Sequence, residues 1–128
     1  VEGALLLAEA SELARAARDV GPFAVVAHAW EERQVNALRL AAKKIIERPR
    51  TVALLGSGGN ERSALVFARS ADLAVDISTW LRQAAQQLGG KGGGQADMAQ
   101  GGAGPASAGQ VRSVLEQIAE RLTRSISE

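Results

Sequence analysis

Glycine is concentrated in one short segment of this 128-residue chain. Eight of its 14 glycines lie between Gly89 and Gly104, and Lys91 is the only cation among them. Glycine loses more conformational entropy on folding than any other residue, so a dense cluster is expected where the backbone adopts positive φ or closely approaches another group. A lysine among backbone amides without side chains indicates that the approaching group is an anion, with phosphate as the first candidate.

The remainder of the chain alternates between helix-like and strand-like apolar patterns. The periodicity predicts helices at 2–18, 35–45 and 77–88, strands at 23–29, 51–56 and 63–68, and a last helix that follows Ser107. The second and third strands are expected to form a hairpin, and residues 98–100 offer a further short edge strand. This order predicts an α/β fold, a small mixed β-sheet of three to four strands with helices packed on it and a glycine-rich loop after the third helix.

Local signals predict where two of these helices begin and end. Asp76 is expected to cap the N-terminus of the third helix, and Gly89 is expected at the position just beyond its C-terminus. Ser107 and Gln110 have the spacing of a capping box at the start of the last helix.

Composition narrows the class of protein. With 15 basic and 14 acidic residues the net charge is +1, so binding to nucleic acid needs a local basic patch. No cysteine is present, which excludes disulfides and thiolate metal sites. No apolar run is long enough to span a membrane. The start at Val1 shows neither an initiator Met nor a signal peptide, so we expect a fragment of a longer protein. The absence of cysteine fits a reducing cytoplasm.

The glycine segment does not match the common nucleotide-binding loops. A P-loop would need glycine where Ala85 stands and a hydroxyl where Gly92 stands. A dinucleotide-binding loop would need its third glycine where Asp97 stands. Both loops follow a strand, whereas this segment follows a predicted helix, so an ATPase and a Rossmann-type site are excluded.

A second candidate feature is basic. On the second predicted helix, i, i+4 spacing places Arg39 with Lys43 on one face and Lys44 with Arg48 on the neighbouring face, and Arg50 extends the cluster. These side chains form either a solvated helix face or a contact surface for nucleic-acid phosphates, and the spacing alone leaves both open.

The glycine segment resembles the signature of the C-terminal domain of alanyl-tRNA synthetases, a member of the DHH-associated domain superfamily. The match comprises Leu88-Gly89-Gly90-Lys91-Gly92-Gly93-Gly94, then Asp97-Met98-Ala99-Gln100 and Gly101-Gly102. The family usually has Arg-Pro where this chain has Gln95-Ala96, so one cation next to the triple glycine is missing. The resemblance implies a helical lead-in from an upstream region over residues 1–22 and a DHH-associated-type globular domain over 23–128, with its glycine-rich loop at 89–104.

The resemblance also implies a function. Such a domain helps to hold alanine-specific tRNA at its elbow and couples aminoacylation with editing, without catalysis of its own. Its partners would be tRNA and the other domains of the synthetase, with a homodimer as an option, and ATP, Mg²⁺ and Zn²⁺ would belong to those other domains. The residues expected to contact RNA are Lys91, Gly89, Gly90, Gly92, Gly93, Gly94, Gln95, Lys43, Lys44, Arg48 and Arg50.

Two other functions stay open at this stage: a purely structural dimerisation module, and the substrate-binding domain of a DHH-family phosphoesterase. His28 is the only histidine and is expected to be a partly buried structural residue. Trp30 borders charged residues and is expected to be exposed, while Phe67 and Trp80 fit core positions.

Overall fold

The computed structural model describes the backbone of residues 2–127 and the side chains of residues 5–125. Val1 and Glu128, the outer limits of the expected domains, lie outside the described residues. The helices are α1 (Glu2–Arg15), α2 (Val35–Ile45), α3 (Ile77–Gln87) and α4 (Ala108–Ser127). The strands are β1 (Arg18–Asp19), β2 (Ala24–Glu31), β3 (Thr51–Gly58), β4 (Ser63–Arg69), β5 (Lys91–Gly94) and β6 (Met98–Ala103).

The strands form one mixed sheet in the order β1-β2-β3-β4-β6-β5. Strands β2 and β3 are parallel, and every other neighbouring pair is antiparallel, including the predicted β3–β4 hairpin. The α/β class is confirmed, but the sheet has six strands rather than three to four. Most of the expected glycine-rich loop is strand, because β5 and β6 both lie within it. The short strand expected at 98–100 extends to Ala103 and is internal, since β5 covers its outer side.

Helices cover both faces of the sheet. Successive side chains of a strand point to opposite faces, so the central strands bury side chains on both sides. Leu65 and Phe67 of β4 face the core under α3 and α4. Val66 and Ala68 face the opposite core under α1 and α2. The sheet is therefore the middle layer of three, and α1 is part of the core through its buried residues Leu6, Ala10 and Ala14.

The predicted caps of α3 and α4 are confirmed, whereas the first helix, expected to reach residue 18, ends at Arg15 because Arg18 and Asp19 pair with β2 as strand β1. The Asp76 carboxylate accepts a hydrogen bond of 3.1 Å from the Ser78 amide at the start of α3. Gly89 has φ +78° at the end of that helix, and the Gly90 amide donates to the carbonyl of Ala85 at 2.8 Å. These are the contacts of a Schellman motif. At α4, the Ser107 hydroxyl accepts from the Gln110 amide and the Gln110 side chain accepts from the Ser107 amide.

The expectation for Trp30 is wrong, whereas that for Phe67 is confirmed by its full burial. Trp30 is 8% exposed because α1 packs over it, and its indole Nε1 donates to Glu9 at 3.0 Å. His28 is half-buried beside it, with the two rings edge to face at 4.5 Å. Burial lowers the pKa of His28, Glu9 opposes that shift and Arg112 reinforces it.

Candidate nucleic-acid interface

The glycine segment folds into an ordered hairpin, which we call the glycine hairpin (β5 and β6, residues 91–103). The Gln95 amide donates to the Met98 carbonyl at 2.9 Å and closes a two-residue turn. Both turn residues are anchored: the Ala96 carbonyl accepts from the Ile77 amide at 2.9 Å, and the Asp97 carbonyl accepts from the Arg69 amide at 3.0 Å. The hairpin is therefore fixed to the start of α3 and to the end of β4.

Four of the eight glycines of this segment, Gly90, Gly92, Gly94 and Gly101, are required by packing. A Cβ on Gly90 would lie 2.1 Å from the Gly102 carbonyl oxygen, and one on Gly94 would lie 2.6 Å from the Ala99 Cα. A Cβ on Gly92 would meet Leu81 Cδ1 of α3 at 2.4 Å. Since real Cβ atoms do not make such contacts, these positions admit only glycine while α3 stays against the hairpin.

Gly93 is different, because a Cβ there would meet no atom within 4 Å. Neighbouring residues of a strand face opposite sides of the sheet, so Gly93 and Lys91 lie on the face opposite Gly92. Their cross-strand partners Gln100 and Gly102 share that face. This is the α2 side of the sheet. Beyond α2, no side chain among the described residues covers Gly93 and Gly102, which form a floor bordered by Lys91 and Gln100.

Two adjoining cavities lie over this floor, and Gln100 lines both of them. We call them together the basic groove. The larger has a volume of about 1080 Å³ and the smaller about 530 Å³, and both are open to solvent. Five basic side chains line the groove, namely Arg33, Arg39, Lys43, Arg62 and Lys91, against the three acidic residues Glu32, Glu61 and Asp97. Positive charge is thus concentrated here in a chain whose net charge is only +1.

The positive charges of the groove are only partly compensated. Arg39 donates to the side-chain oxygen of Gln100 at 2.8 Å, a neutral partner. Arg33 lies 3.7 Å from the Glu9 carboxylate, a long ion pair. Within the described side chains, Lys43, Arg62 and Lys91 make no salt bridge. An anion in the groove could therefore bind these three cations without first breaking a salt bridge.

The basic residues of α2 lie at two different cavities. Lys43 lies at the groove, whereas Lys44 pairs with Glu47 at 3.3 Å. Lys44 and Arg48 line a different cavity, between the ends of α1 and α2. The i, i+4 spacings predicted this division correctly, with Arg39 and Lys43 on one face of α2 and Lys44 and Arg48 on the neighbouring face.

Arg50 has a structural role, because its hydrogen bonds are to other parts of the protein. Its guanidinium donates to the carbonyls of Gly21 and Pro22 at 3.0 and 3.3 Å. Its amide donates to the Asp72 carboxylate at 3.0 Å. A hydrogen bond from the Ser70 hydroxyl and this amide bond lower the pKa of Asp72, which keeps the acceptor ionised. Arg50 has φ +53°, and these bonds hold it in that left-handed conformation.

Two groove residues had no signal in the sequence. Arg33 follows β2 and Arg62 precedes β4, so they are far apart in the chain and share no periodic spacing. Of the glycine-segment residues, Lys91, Gly92 and Gly93 line the groove, as do Gly94 and Gln95 at its narrower end. Gly89 and Gly90 instead end α3 and start the hairpin.

A mixed sheet with helices on both faces and a glycine hairpin beside an open groove is the architecture of a known domain class. The chain belongs to the DHHA1 domain family, whose profile matches residues 21–124.

Its relatives and its fold point to one kind of protein within that class. The chain is 36% identical over 124 residues to an alanine–tRNA ligase of Anaeromyxobacter dehalogenans, a match that covers 94% of this chain and 13% of the relative. It is 42% identical over 106 residues to that of Acidothermus cellulolyticus, covering 77% and 12%. The chain therefore spans about an eighth of the length of the curated relatives it matches.

A solved structure supports the same assignment of fold. The C-Ala domain of Aquifex aeolicus alanyl-tRNA synthetase superimposes with a TM-score of 0.72 at 24% identity, covering 88% of this chain and 98% of that domain. The six-stranded sheet and its helices are thus the fold of a C-Ala domain. In residues 2–127 no helix combines the length and the apolar character needed to cross a membrane.

Proposed function

We propose that this chain is the tRNA-binding domain of an alanine–tRNA ligase and that it contacts RNA through the basic groove. The observation that carries this is the set of unpaired cations, Lys43, Arg62 and Lys91, around a floor of backbone without side chains. Phosphate contacts supply most of the affinity in nucleic-acid recognition, and they need accessible cations.

The open position above Gly93 supports the same function. The fold does not require glycine there, because a Cβ would meet nothing and φ is not in the left-handed region. A side chain at this position would stand in the groove between Lys91 and Lys43. Glycine is the residue that lets a ligand backbone approach the peptide planes closely.

The family relationship supports the finer details. We infer that the domain holds alanine-specific tRNA at its elbow and links aminoacylation to editing, while catalysis with ATP, Mg²⁺ and Zn²⁺ belongs to other parts of the ligase. Residues 1–22 would form the lead-in from an upstream region, packed through α1 and β1 onto the globular domain of residues 23–128. We infer that the domain acts in the cytoplasm, where its proposed tRNA partner is charged.

A matched pair of variants tests the location of the interface. Lys43→Ala removes a groove cation, and Lys44→Ala removes its neighbour, whose side chain points to a different cavity. The groove assignment predicts that Lys43→Ala weakens tRNA binding several-fold while Lys44→Ala changes it little, measured by filter binding or fluorescence anisotropy. Equal losses in both variants, or a loss only in Lys44→Ala, would contradict it.

Altered tRNAs test whether the domain recognises the tRNA elbow. A tRNA transcript whose D and T loops are mutated so that they no longer meet should bind more weakly than the native one. A minihelix that lacks the elbow should bind at the level of non-specific RNA. Equal binding of all three RNAs would show that the domain binds RNA through charge alone and would contradict recognition of the elbow.

A further inference from the structure

Arg33 lies between the basic groove and helix α1. It lines the larger cavity of the groove, and its guanidinium is 3.7 Å from the carboxylate of Glu9, which belongs to α1. Glu32 and Glu61 line the same cavity, but within the described side chains neither of them makes a salt bridge. The acidic partner of Arg33 therefore comes from a helix whose described residues do not line the groove.

Buried residues hold both members of this ion pair in place. The second carboxylate oxygen of Glu9 accepts a hydrogen bond of 3.0 Å from Nε1 of Trp30, which is buried. The backbone amide of Arg33 donates to the hydroxyl of Ser57 at 2.7 Å, and Ser57 is buried as well. Glu9 and the Arg33 backbone are thus fixed, and the long, partly exposed side chain of Arg33 is the part that can turn.

We propose that Glu9 restrains Arg33 on the α1 side and thereby lowers the affinity of the basic groove for RNA phosphates. This inference rests on the proposed function, because it takes RNA as the ligand of the groove. A carboxylate and a phosphate are both anions that bind the same guanidinium N–H donors. A phosphate that takes these donors draws Arg33 away from Glu9, so the ion pair and the RNA contact oppose each other. Glu9 is a positioning residue, since it acts through Arg33.

The ion pair couples helix α1 to the groove. Coupling between two binding events is reciprocal, so RNA that draws Arg33 away from Glu9 also removes one contact that holds α1. The hydrogen bond to Trp30 and the buried apolar side chains of α1 keep the helix on the sheet. The coupling therefore changes the strength of RNA binding and of α1 packing without detaching the helix.

A matched pair of variants isolates the charge of Glu9. In Glu9→Gln the amide oxygen can still accept from Trp30, but the negative charge beside Arg33 is gone. Glu12→Gln makes the same change in net charge on the same helix, where Glu12 pairs with Arg15. The affinity for tRNA, measured by fluorescence anisotropy, should rise about two- to fivefold in Glu9→Gln, the range that one partly exposed ion pair supports. It should change little in Glu12→Gln.

Two further readouts show whether Glu9 acts through Arg33. Glu9→Gln should increase the magnitude of the slope of log K against log salt by up to about 0.9, because Arg33 then supplies a full phosphate contact. In a chain that already carries Arg33→Gln, Glu9→Gln should raise the affinity no more than Glu12→Gln does. A direct repulsion between Glu9 and the RNA would instead persist without Arg33.

The outcomes separate this proposal from the location of the interface. If Lys43→Ala and Lys44→Ala bind tRNA equally, the groove is not the interface and the restraint by Glu9 fails with it. If those two variants differ as expected but Glu9→Gln does not bind more tightly than Glu12→Gln, the restraint alone is wrong. It is also wrong if Glu9→Gln raises the affinity equally with and without Arg33.

Discussion

Substituting alanine for two adjacent glycines should have opposite effects on stability. Gly92 and Gly93 are neighbours in β5 and differ only in the face of the sheet toward which they point. A Cβ on Gly92 would lie 2.4 Å from Leu81 Cδ1 and 2.7 Å from the Gly101 Cα, whereas one on Gly93 would meet nothing within 4 Å. Leu81 is fully buried, so it has little room to move away.

The expected magnitudes follow from these contacts. Overpacking a filled core costs about 1–3 kcal/mol, and Gly92→Ala should be near the upper end because two of the three colliding atoms, the Gly101 Cα and the Gln100 carbonyl oxygen, are backbone. Gly93→Ala should raise stability by about 0.4–1 kcal/mol, because alanine restricts the unfolded chain. The two variants should therefore differ by at least about 1.4 kcal/mol.

Urea denaturation followed by tryptophan fluorescence measures this difference. At an m-value of about 1.5 kcal/mol/M, the two midpoints should differ by roughly 1 M. Leu81→Ala should reduce the additional loss caused by Gly92→Ala, since it removes one of the colliding atoms. Equal midpoints for Gly92→Ala and Gly93→Ala would refute the assignment of these glycines to opposite faces.

Core packing, capping and protonation each give one further measurable outcome. Leu115→Ala should lower the free energy of unfolding by about 2–5 kcal/mol in urea, because Leu115 is fully buried. Ser107→Ala should lower it by about 1 kcal/mol through loss of the capping box, with the exposed Ser113→Ala on the same helix as a neutral control. Burial lowers the pKa of His28, so the unfolded chain binds this proton more tightly than the folded one. Stability should therefore fall as the pH drops below about 6.5, and thermal unfolding of His28→Gln should show a weaker dependence.

Sequence patterns predicted the parts of this fold that depend on local interactions. Asp76, Gly89 and Ser107 mark helix ends because a cap involves residues within one turn of each other. The hairpin of β3 and β4 was predictable because two apolar runs flank a short turn. The α/β class followed from the alternation of these elements.

Long-range contacts produced the features that the sequence did not reveal. Strand β5 contains three glycines, which have low strand propensity, and it is extended only because β6 pairs with it and α3 packs on it. Trp30 is buried because α1 folds over it. Lys91 and Lys43 were recognisable from the sequence, but Arg33 and Arg62 reach the groove only through the turns that follow β2 and precede β4.

The salt dependence of tRNA binding tests the central claim most directly. Each phosphate contact contributes about 0.9 to the slope of log K against log salt on duplex RNA-like helices, by analogy with DNA. The triple variant Lys43→Ala, Arg62→Ala, Lys91→Ala should therefore bind tRNA more weakly and lower the magnitude of this slope by about 2–3. An unchanged slope, with the variant still folded, would contradict binding of tRNA in the basic groove.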